Sequence, residues 1–299
     1  MKRTIATHHK HKSSPLAAFA ALLLGAFMML GASSPAVATP APAGDSDPAA
    51  LAWAAFLTQH DQNVRDDWST GGVVIFAERD IQSLPAAPYP SHGFDTIIVV
   101  NNRLENLDGL TSLTHPNLGS EHPLNLGYFK KEVNASGILM FANNEIRDIE
   151  GLRHLTSAFI IDLSGNNLTK VDGLASLNAV RYRFDLHDNA LEDINGLVNL
   201  RSFGGRAGSA HGELDLSHNQ LTDVDGLVNL SFAGGNLNLS YNPDLTDLSG
   251  LSRIQALDGN IYASHIGTIT VPIAAAAWLC QPRQADNFYG ITQNEACGL

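Results

Sequence analysis

Three stretches decide the fold: IIDLSGNNLTKVDGL (160–174), YRFDLHDNALEDINGL (182–197) and GELDLSHNQLTDVDGL (212–227). They share one frame, anchored on Asn166, Asn189 and Asn219. Working outward, IIVVNNRLENLDGL (97–110), ILMFANNEIRDIEGL (138–152) and LNLSYNPDLTDLSGL (237–251) fit the same frame at Asn102, Asn144 and Asn242. Weaker copies bracket these, with Arg79 and Ile266 in the Asn place. The steps between anchors are 23, 42, 22, 23, 30, 23 and 24 residues, so a repeat of about 23 explains five of the seven and two carry insertions. A period of this size is the signature of a stacked array.

Three columns test the frame. Five residues before the anchor lie Val74, Ile97, Leu139, Ile161, Phe184, Leu214, Leu237 and Ile261. Three before it lie Phe76, Val99, Phe141, Leu163, Leu186, Leu216, Leu239 and Ala263. Two after it lie Ile81, Leu104, Ile146, Leu168, Leu191 and Leu221, with Leu245 and Ile269 one place later. All twenty-four are apolar in a chain that is 44% apolar. The pair at −5 and −3 reads as the inward face of a short strand, because side chains alternate across a strand. The residue at +2 and the later Gly-Leu-x-x-Leu turn the chain and fill the rest of the coil. The Asn column reads as structural: an inward amide can satisfy backbone groups left over where the strand ends and the chain bends. One coil cannot bury its own apolar side, so neighbours stack into a continuous core.

The pattern L-x-x-L-x-L-x-x-N-x-L resembles that of leucine-rich repeats, and locally the short bacterial type of secreted internalin-like proteins. The spaced Gly137, Gly212, Gly235 and Gly259 are similar to those of the receptor L-domain, a related β-solenoid. The resemblance covers residues 72–271. It implies an α/β solenoid with a parallel β-sheet along one face, here of about eight coils, and a role in binding proteins or glycans without catalysis.

The flanks read as ends of the array. Residues 1–14 are basic and polar, 15–32 are an unbroken apolar run, and Ala36-Val37-Ala38 offers small residues to signal peptidase. A signal peptide over 1–38 cleaved after Ala38 is expected, with a flexible leader over 39–47, a secreted or periplasmic destination and no membrane span afterwards. Asp47-Pro48 is a helix start, and Trp53, Phe56, Leu57, His60 and Val64 follow at helical spacing, which predicts a helical N-terminal cap over 48–71. At the other end, 272–299 is expected to be a cap in which Pro272 opens an Ala-rich helix reaching Cys280. Cys280 and Cys297 are the only two cysteines, so one intrachain disulfide is possible, stapling this end.

Charge narrows the partners. The chain carries 18 basic and 30 acidic residues, a formal −12. Removing Lys2, Arg3, Lys10 and Lys12 with the signal peptide leaves about −16, which argues against nucleic acid or another polyphosphate. No HExxH, GxSxG, Walker A or CxxC motif is present, so no catalytic residue, metal ligand or cofactor is assigned.

Candidate contact residues lie on the outward strand positions. The −4 column runs Ile75, Ile98, Met140, Asp162, Asp185, Asp215, Asn238, Tyr262, apolar over the first three strands and acidic-polar afterwards. The apolar part is either a contact site or is covered by an inserted loop. Asp162, Asp185 and Asp215 would stand about 4.8 Å apart on successive strands, with His187 beside them. Such a ladder favours a basic partner or a cation such as Ca²⁺; against that, Leu-Asp-Leu-Ser is ordinary repeat sequence and surface Asp mostly keeps proteins soluble. Both insertions fall between the Leu-x-x-Leu turn and the next strand. The first, within 114–136, holds Tyr128, Lys130 and Lys131, and the second, 204–212, holds Arg206. The expected function is a secreted, monomeric, non-enzymatic binding module that recognises protein or glycan through the strand face and edge loops. The alternatives are an envelope scaffold, or a Ca²⁺-dependent or hydrolytic protein centred on the Asp ladder.

Overall fold

A computed structural model describes residues 52, 55–56, 72–77, 80–85, 94–110, 137–205, 212–274 and 277–299, all within one compact unit, Ala38–Leu299. The expected signal peptide and leader, nearly all of the N-terminal cap, and Tyr128, Lys130, Lys131 and Arg206 lie outside the described residues. Each coil begins with a short strand, and the strands stack in parallel into one sheet of eleven. They are β1 (Gly72–Ala77), β2 (Phe94–Val100), β3 (Ile138–Met140), β4 (Ser157–Asp162), β5 (Ala179–Asp185) and β6 (Ser202–Gly204). Then come β7 (Gly212–Asp215), β8 (Phe232–Asn238), β9 (Ala256–Leu257), β10 (Ile261–Tyr262) and β11 (Phe288–Tyr289). The register joins the repeat frame column to column, for example Ile161 with Phe184 and Leu214 with Leu237.

The inward columns form the core. Every −5, −3 and +2 residue is buried except Ile269, which is half-buried, and Val74, whose side chain is outside the described set. Opposite the sheet, each Gly-Leu pair sits in a 3-10 turn, among them Glu150–Leu152, Asp172–Leu174, Asn195–Leu197, Asp225–Leu227 and Ser249–Leu251. The leucine fills the core, worth roughly 1.5–3 kcal/mol when fully buried. The glycine lets the turns stack closely: a Cβ on Gly173 would fall on the carbonyl of Ile149 in the preceding coil.

The Asn column stitches coil to coil. Asn166 donates to its own Leu163 carbonyl at 2.9 Å and to the preceding coil's Phe141 carbonyl at 3.0 Å, while its Oδ1 accepts from the Ile146 N–H at 3.1 Å. Asn144, Asn189, Asn219 and Asn242 repeat this triple pattern, and Asn102 bonds the Phe76 and Val100 carbonyls and the Ile81 N–H. These amides, buried except for half-buried Asn189, satisfy backbone groups that neither the sheet nor the turns can.

Two placements differ from the sequence reading. The second insertion does not precede a strand but divides one. β6 pairs with the first halves of β5 and β8, and β7 with their second halves. The neck of the loop is glycine on both sides, and a Cβ on Gly212 would meet the Cα of Gly204. This is the level at which β4 and β5 shift register, so the loop leaves the sheet where the ladder is already broken. β3 starts on the same rung, directly after Gly137 at φ 121°. Both insertions therefore rejoin the sheet at one level, as their shared place in the repeat requires.

The second difference is at the C-terminus, where the disulfide Cys280–Cys297 is present with its Cα atoms 5.8 Å apart. The Ala-rich segment before it is not a continuous helix: where it is described its start is extended, and only Trp278–Cys280 forms a short 3-10 helix. Val271 bridges Asp247, the Ile273 N–H bonds the Ala296 carbonyl at 2.8 Å, and Ala277 is extended. The α-helix lies instead at Gln293–Cys297, where Thr292 and Glu295 form a capping box and Gly298 ends it in the left-handed region. Cap selection outweighs alanine propensity here, because the extended chain is needed to continue the last coil. The cap also contributes β11, which extends the sheet beyond the eight strand positions of the repeat frame. At the N-terminal end the Phe56 ring packs edge-on against Phe76, with centroids 5.2 Å apart. No helix among the described residues is long and apolar enough to cross a membrane.

Candidate functional site

Of the two readings of the apolar outward positions, exposed or covered, two rungs favour the second. Ile98 and Met140 are buried, at 4% and 1% exposure, and their −2 neighbours Val100 and Ala142 are buried with them. At these two rungs the apolar positions are thus no exposed contact surface. For Ile75 only the backbone is described, paired with Ile98.

The Asp ladder is also not a row of surface acids. Asp162 and Asp185 are fully buried, and only Asp215 is partly exposed. Each acid first caps its own strand. Asp162 Oδ1 accepts from the Ser164 N–H at 3.0 Å and hydroxyl at 2.6 Å, and Asp215 Oδ1 does the same with Ser217 at 2.9 and 2.6 Å. Asp185 Oδ1 accepts from the His187 N–H at 3.1 Å, with the imidazole Nδ1 at 2.6 Å. Asp-x-Ser and Asp-x-His are thus one motif with two chemistries.

The middle rung is neutralised from within. Arg183, two residues before Asp185, holds Asp185 Oδ2 through Nη2 at 2.7 Å and Nε at 3.3 Å, and reaches Glu213 on the next strand at 2.9 Å. Burial alone pushes the Asp185 carboxyl up, but the hydrogen bond and charge of His187, together with Arg183, outweigh it and hold the group below its ordinary value. For His187 burial lowers the pKa, yet Asp185, with Asp215 and Asp188 adding charge, raises it to about 9. Burial pushes Glu213 up against the pull of Arg183. The positive charge that three neighbouring carboxylates demand is supplied by Arg183 and His187 themselves. The sequence signal for Arg183 and Glu213 is their place two residues before Asp185 and Asp215, on the same outward side of each strand.

Asp162 has no such partners. Ile160 stands where the next coil has Arg183, and Asp162 Oδ2 makes no hydrogen bond. Burial first, then the charge of Asp185, raises Asp162 to about 6 despite the Ser164 bonds.

What is exposed lies further along the array. Directly before each Asn anchor the backbone turns through the left-handed region, at Asn101, Asn143, Gly165, Asp188, His218, Tyr241 and His265. Gly, Asn, Asp and His are the usual residues there, and a bulkier one such as tyrosine costs about 1 kcal/mol or more. The last three coils nevertheless place rings in it. Those rings stack, His218 on Tyr241 at 4.2 Å and Tyr241 on His265 at 4.5 Å. A second pair, Tyr262 and Tyr289, stacks at 5.2 Å on β10 and β11. Tyr241 and Tyr289 are 45% and 48% exposed, and half-buried Asn236, Asn238 and Asn260 stand beside the second pair. None of these rings but Tyr262 belonged to the columns read from sequence; the signal available was aromatic residues at a position that otherwise takes Asn, Asp or Gly.

Coil, sheet and Asn stitching define the fold class as a leucine-rich-repeat β-solenoid. No family model matches the chain, and no curated protein does. Forty-four chains of solved structures match it. One is an internalin (InlF) from Listeria monocytogenes, 15% identical, covering 69% of this chain and 69% of that chain at a TM-score of 0.35. That is a distant likeness, and the fold assignment rests on the coil itself.

Proposed function

We propose that this chain is an exported, non-enzymatic recognition module, monomeric and without a cofactor, that binds a protein or glycan on the C-terminal half of its strand face. Signal peptide (1–38), leader (39–47), N-terminal cap (48–71), repeat array (72–271) and C-terminal cap (272–299) are its parts. The observation that carries the reading is the ring set of exposed Tyr241, His218, His265 and Tyr289, with half-buried Tyr262 beside them. These are large, stiff side chains held in unfavourable backbone or at a sheet end, flanked by amides. Exposed aromatics with nearby hydrogen-bonding groups are what recognition surfaces use, and the strained backbone kept at Tyr241 suggests a purpose other than folding. Ile98, Met140, Asp162 and Asp185 are buried, which favours the C-terminal half as the binding surface.

Affinity capture by the mature chain, run against envelope extract and against a panel of immobilised glycans, tests the reading. A Tyr241→Ala/Tyr289→Ala double variant should keep the fold and lose at least tenfold in capture. Undiminished capture by that variant would place the binding surface elsewhere.

A further inference from the structure

The C-terminal end of the strand face differs from its middle in carrying no charge. On β5 and β7 the outward residues include Arg183, Asp185, Glu213 and Asp215. In register with Glu213 and Asp215, β8 has Asn236 and Asn238; Tyr262 on β10 then pairs with Asn238, and Tyr289 on β11 with Tyr262. Asn260 and Asn287 stand two residues before these tyrosines, on the same outward side. Backbone bonds fix how the first two amides point. A backbone N–H only donates, so Asn236 Oδ1 faces the Asn260 N–H at 3.0 Å and Asn238 Oδ1 faces the Ser240 N–H at 3.2 Å. Both Nδ2 groups are left without a protein partner among the described residues, at half-buried positions. Asn260 Nδ2 donates to the Tyr262 hydroxyl at 3.4 Å and Asn287 Nδ2 to Gln284 Oε1 at 3.0 Å, which leaves two amide oxygens free to accept. The Tyr262 and Tyr289 rings stack at 5.2 Å. Because β11 ends the sheet, no strand covers the outer face of Tyr289, which is 48% exposed.

We propose that this patch binds an uncharged glycan, stacking a sugar ring on Tyr289 and hydrogen-bonding sugar hydroxyls through the four Asn amides. The assignment rests on the recognition reading above and narrows its ligand. A hydroxyl both donates and accepts, and a surface that offers unused amide N–H groups beside unused amide oxygens meets both needs. A pyranose also has a face of C–H groups, and the electron-rich face of a tyrosine ring attracts such hydrogens. Charge separates this ligand from the others. In a chain of net charge −12, outward positions without an ionised side chain suit a partner that brings no charge to be balanced. An anionic glycan would find no Lys or Arg at these positions and would meet Glu213 and Asp215 on the neighbouring strand. A protein partner's anchors sit in well-packed, fully desolvated surroundings, whereas these rings stand among half-buried amides.

The test is calorimetric titration of the full chain with cellohexaose, maltohexaose, xylohexaose and chitohexaose, and with anionic hexagalacturonate. At least one neutral oligomer should bind, and hexagalacturonate should not. Tyr289→Ala should weaken the binding at least tenfold, while Tyr289→Phe, which keeps the ring, should stay within about threefold. Asn238→Asp should also weaken it at least tenfold: it keeps the cap on Ser240, as Asp215 does for Ser217, but removes the donor and adds a charge. Absence of binding by all four neutral oligomers overturns the assignment, as does equal binding of hexagalacturonate or affinity unmoved in Asn238→Asp. Capture from envelope extract separates this failure from that of the recognition reading. Periodate oxidation of the extract should abolish capture and protease treatment should not. Capture that protease removes, periodate spares and Tyr241→Ala/Tyr289→Ala abolishes would keep the recognition reading and overturn the glycan.

Discussion

The rungs at Asp162 and Asp185 stand side by side at the same place in successive coils, equally buried and joined in register. Around Asp185 the flanking outward positions are Arg183 and His187, and the carboxyl is held below its ordinary value. Around Asp162 they are Ile160 and Ser164, and the carboxyl is raised to about 6. Depth in the fold is the same for both, so depth does not decide the charge. The two residues that share the strand's outward side do. A buried acid with cationic neighbours becomes part of the scaffold, whereas one with an aliphatic neighbour and a hydroxyl is a standing cost to it.

The largest effect should come from breaking the neutralised rung. Asp185→Ala strands Arg183 and His187 in a site built for their anion, and should cost about 3–5 kcal/mol in urea unfolding, the range for removing one partner of a buried pair. A loss under 1 kcal/mol would mean that Arg183 is held by Glu213 alone.

Next is Asp162→Asn. A folded-state pKa of about 6 lies above the ordinary 3.8, so this group's contribution is fully present below pH 4 and is lost as the pH rises through 6. The amide variant should match or slightly trail the wild type at pH 4 and exceed it at pH 7.5 by on the order of 1–2 kcal/mol. Equal stability at both values would show Asp162 to be ordinary.

Asp215→Ala should do least. This third rung is half open to solvent and caps only Ser217, so a loss of about 1 kcal/mol or less is expected for its hydrogen bonds. A loss as large as that of Asp185→Ala would mean that the ladder acts as one unit across all three coils.

The order of these effects follows from what the sequence could and could not disclose. Leu163, Leu186 and Leu216 announce the core because burial follows a fixed period, and Asn166 or Asn219 marks the bend because an inward amide has few other uses. Outward residues carry no such rule. Asp162 and Asp185 look identical in Leu-Asp-Leu, and their difference appears only when Ile160 and Arg183 are set beside them. The approach of His218 to Asp188 depends on an insertion between their coils that leaves coil stacking intact, which spacing alone conceals. Alanines near Pro272 suggested a helix because local propensity was weighed without the last coil's need for an extended continuation; the Thr292–Glu295 capping box was the better signal. The second insertion was misplaced because nothing in a single chain reveals that a strand resumes after a loop.

The central claim is that the buried ladder carries its own counter-charges at one rung and lacks them at the next. An NMR titration following the Asp162 carboxyl carbon and the His187 imidazole from pH 4 to 10 tests it most directly. The account predicts Asp162 changing near pH 6 and His187 near pH 9. Asp162 titrating near 4 and His187 near 6.5, the values of isolated side chains, would contradict it.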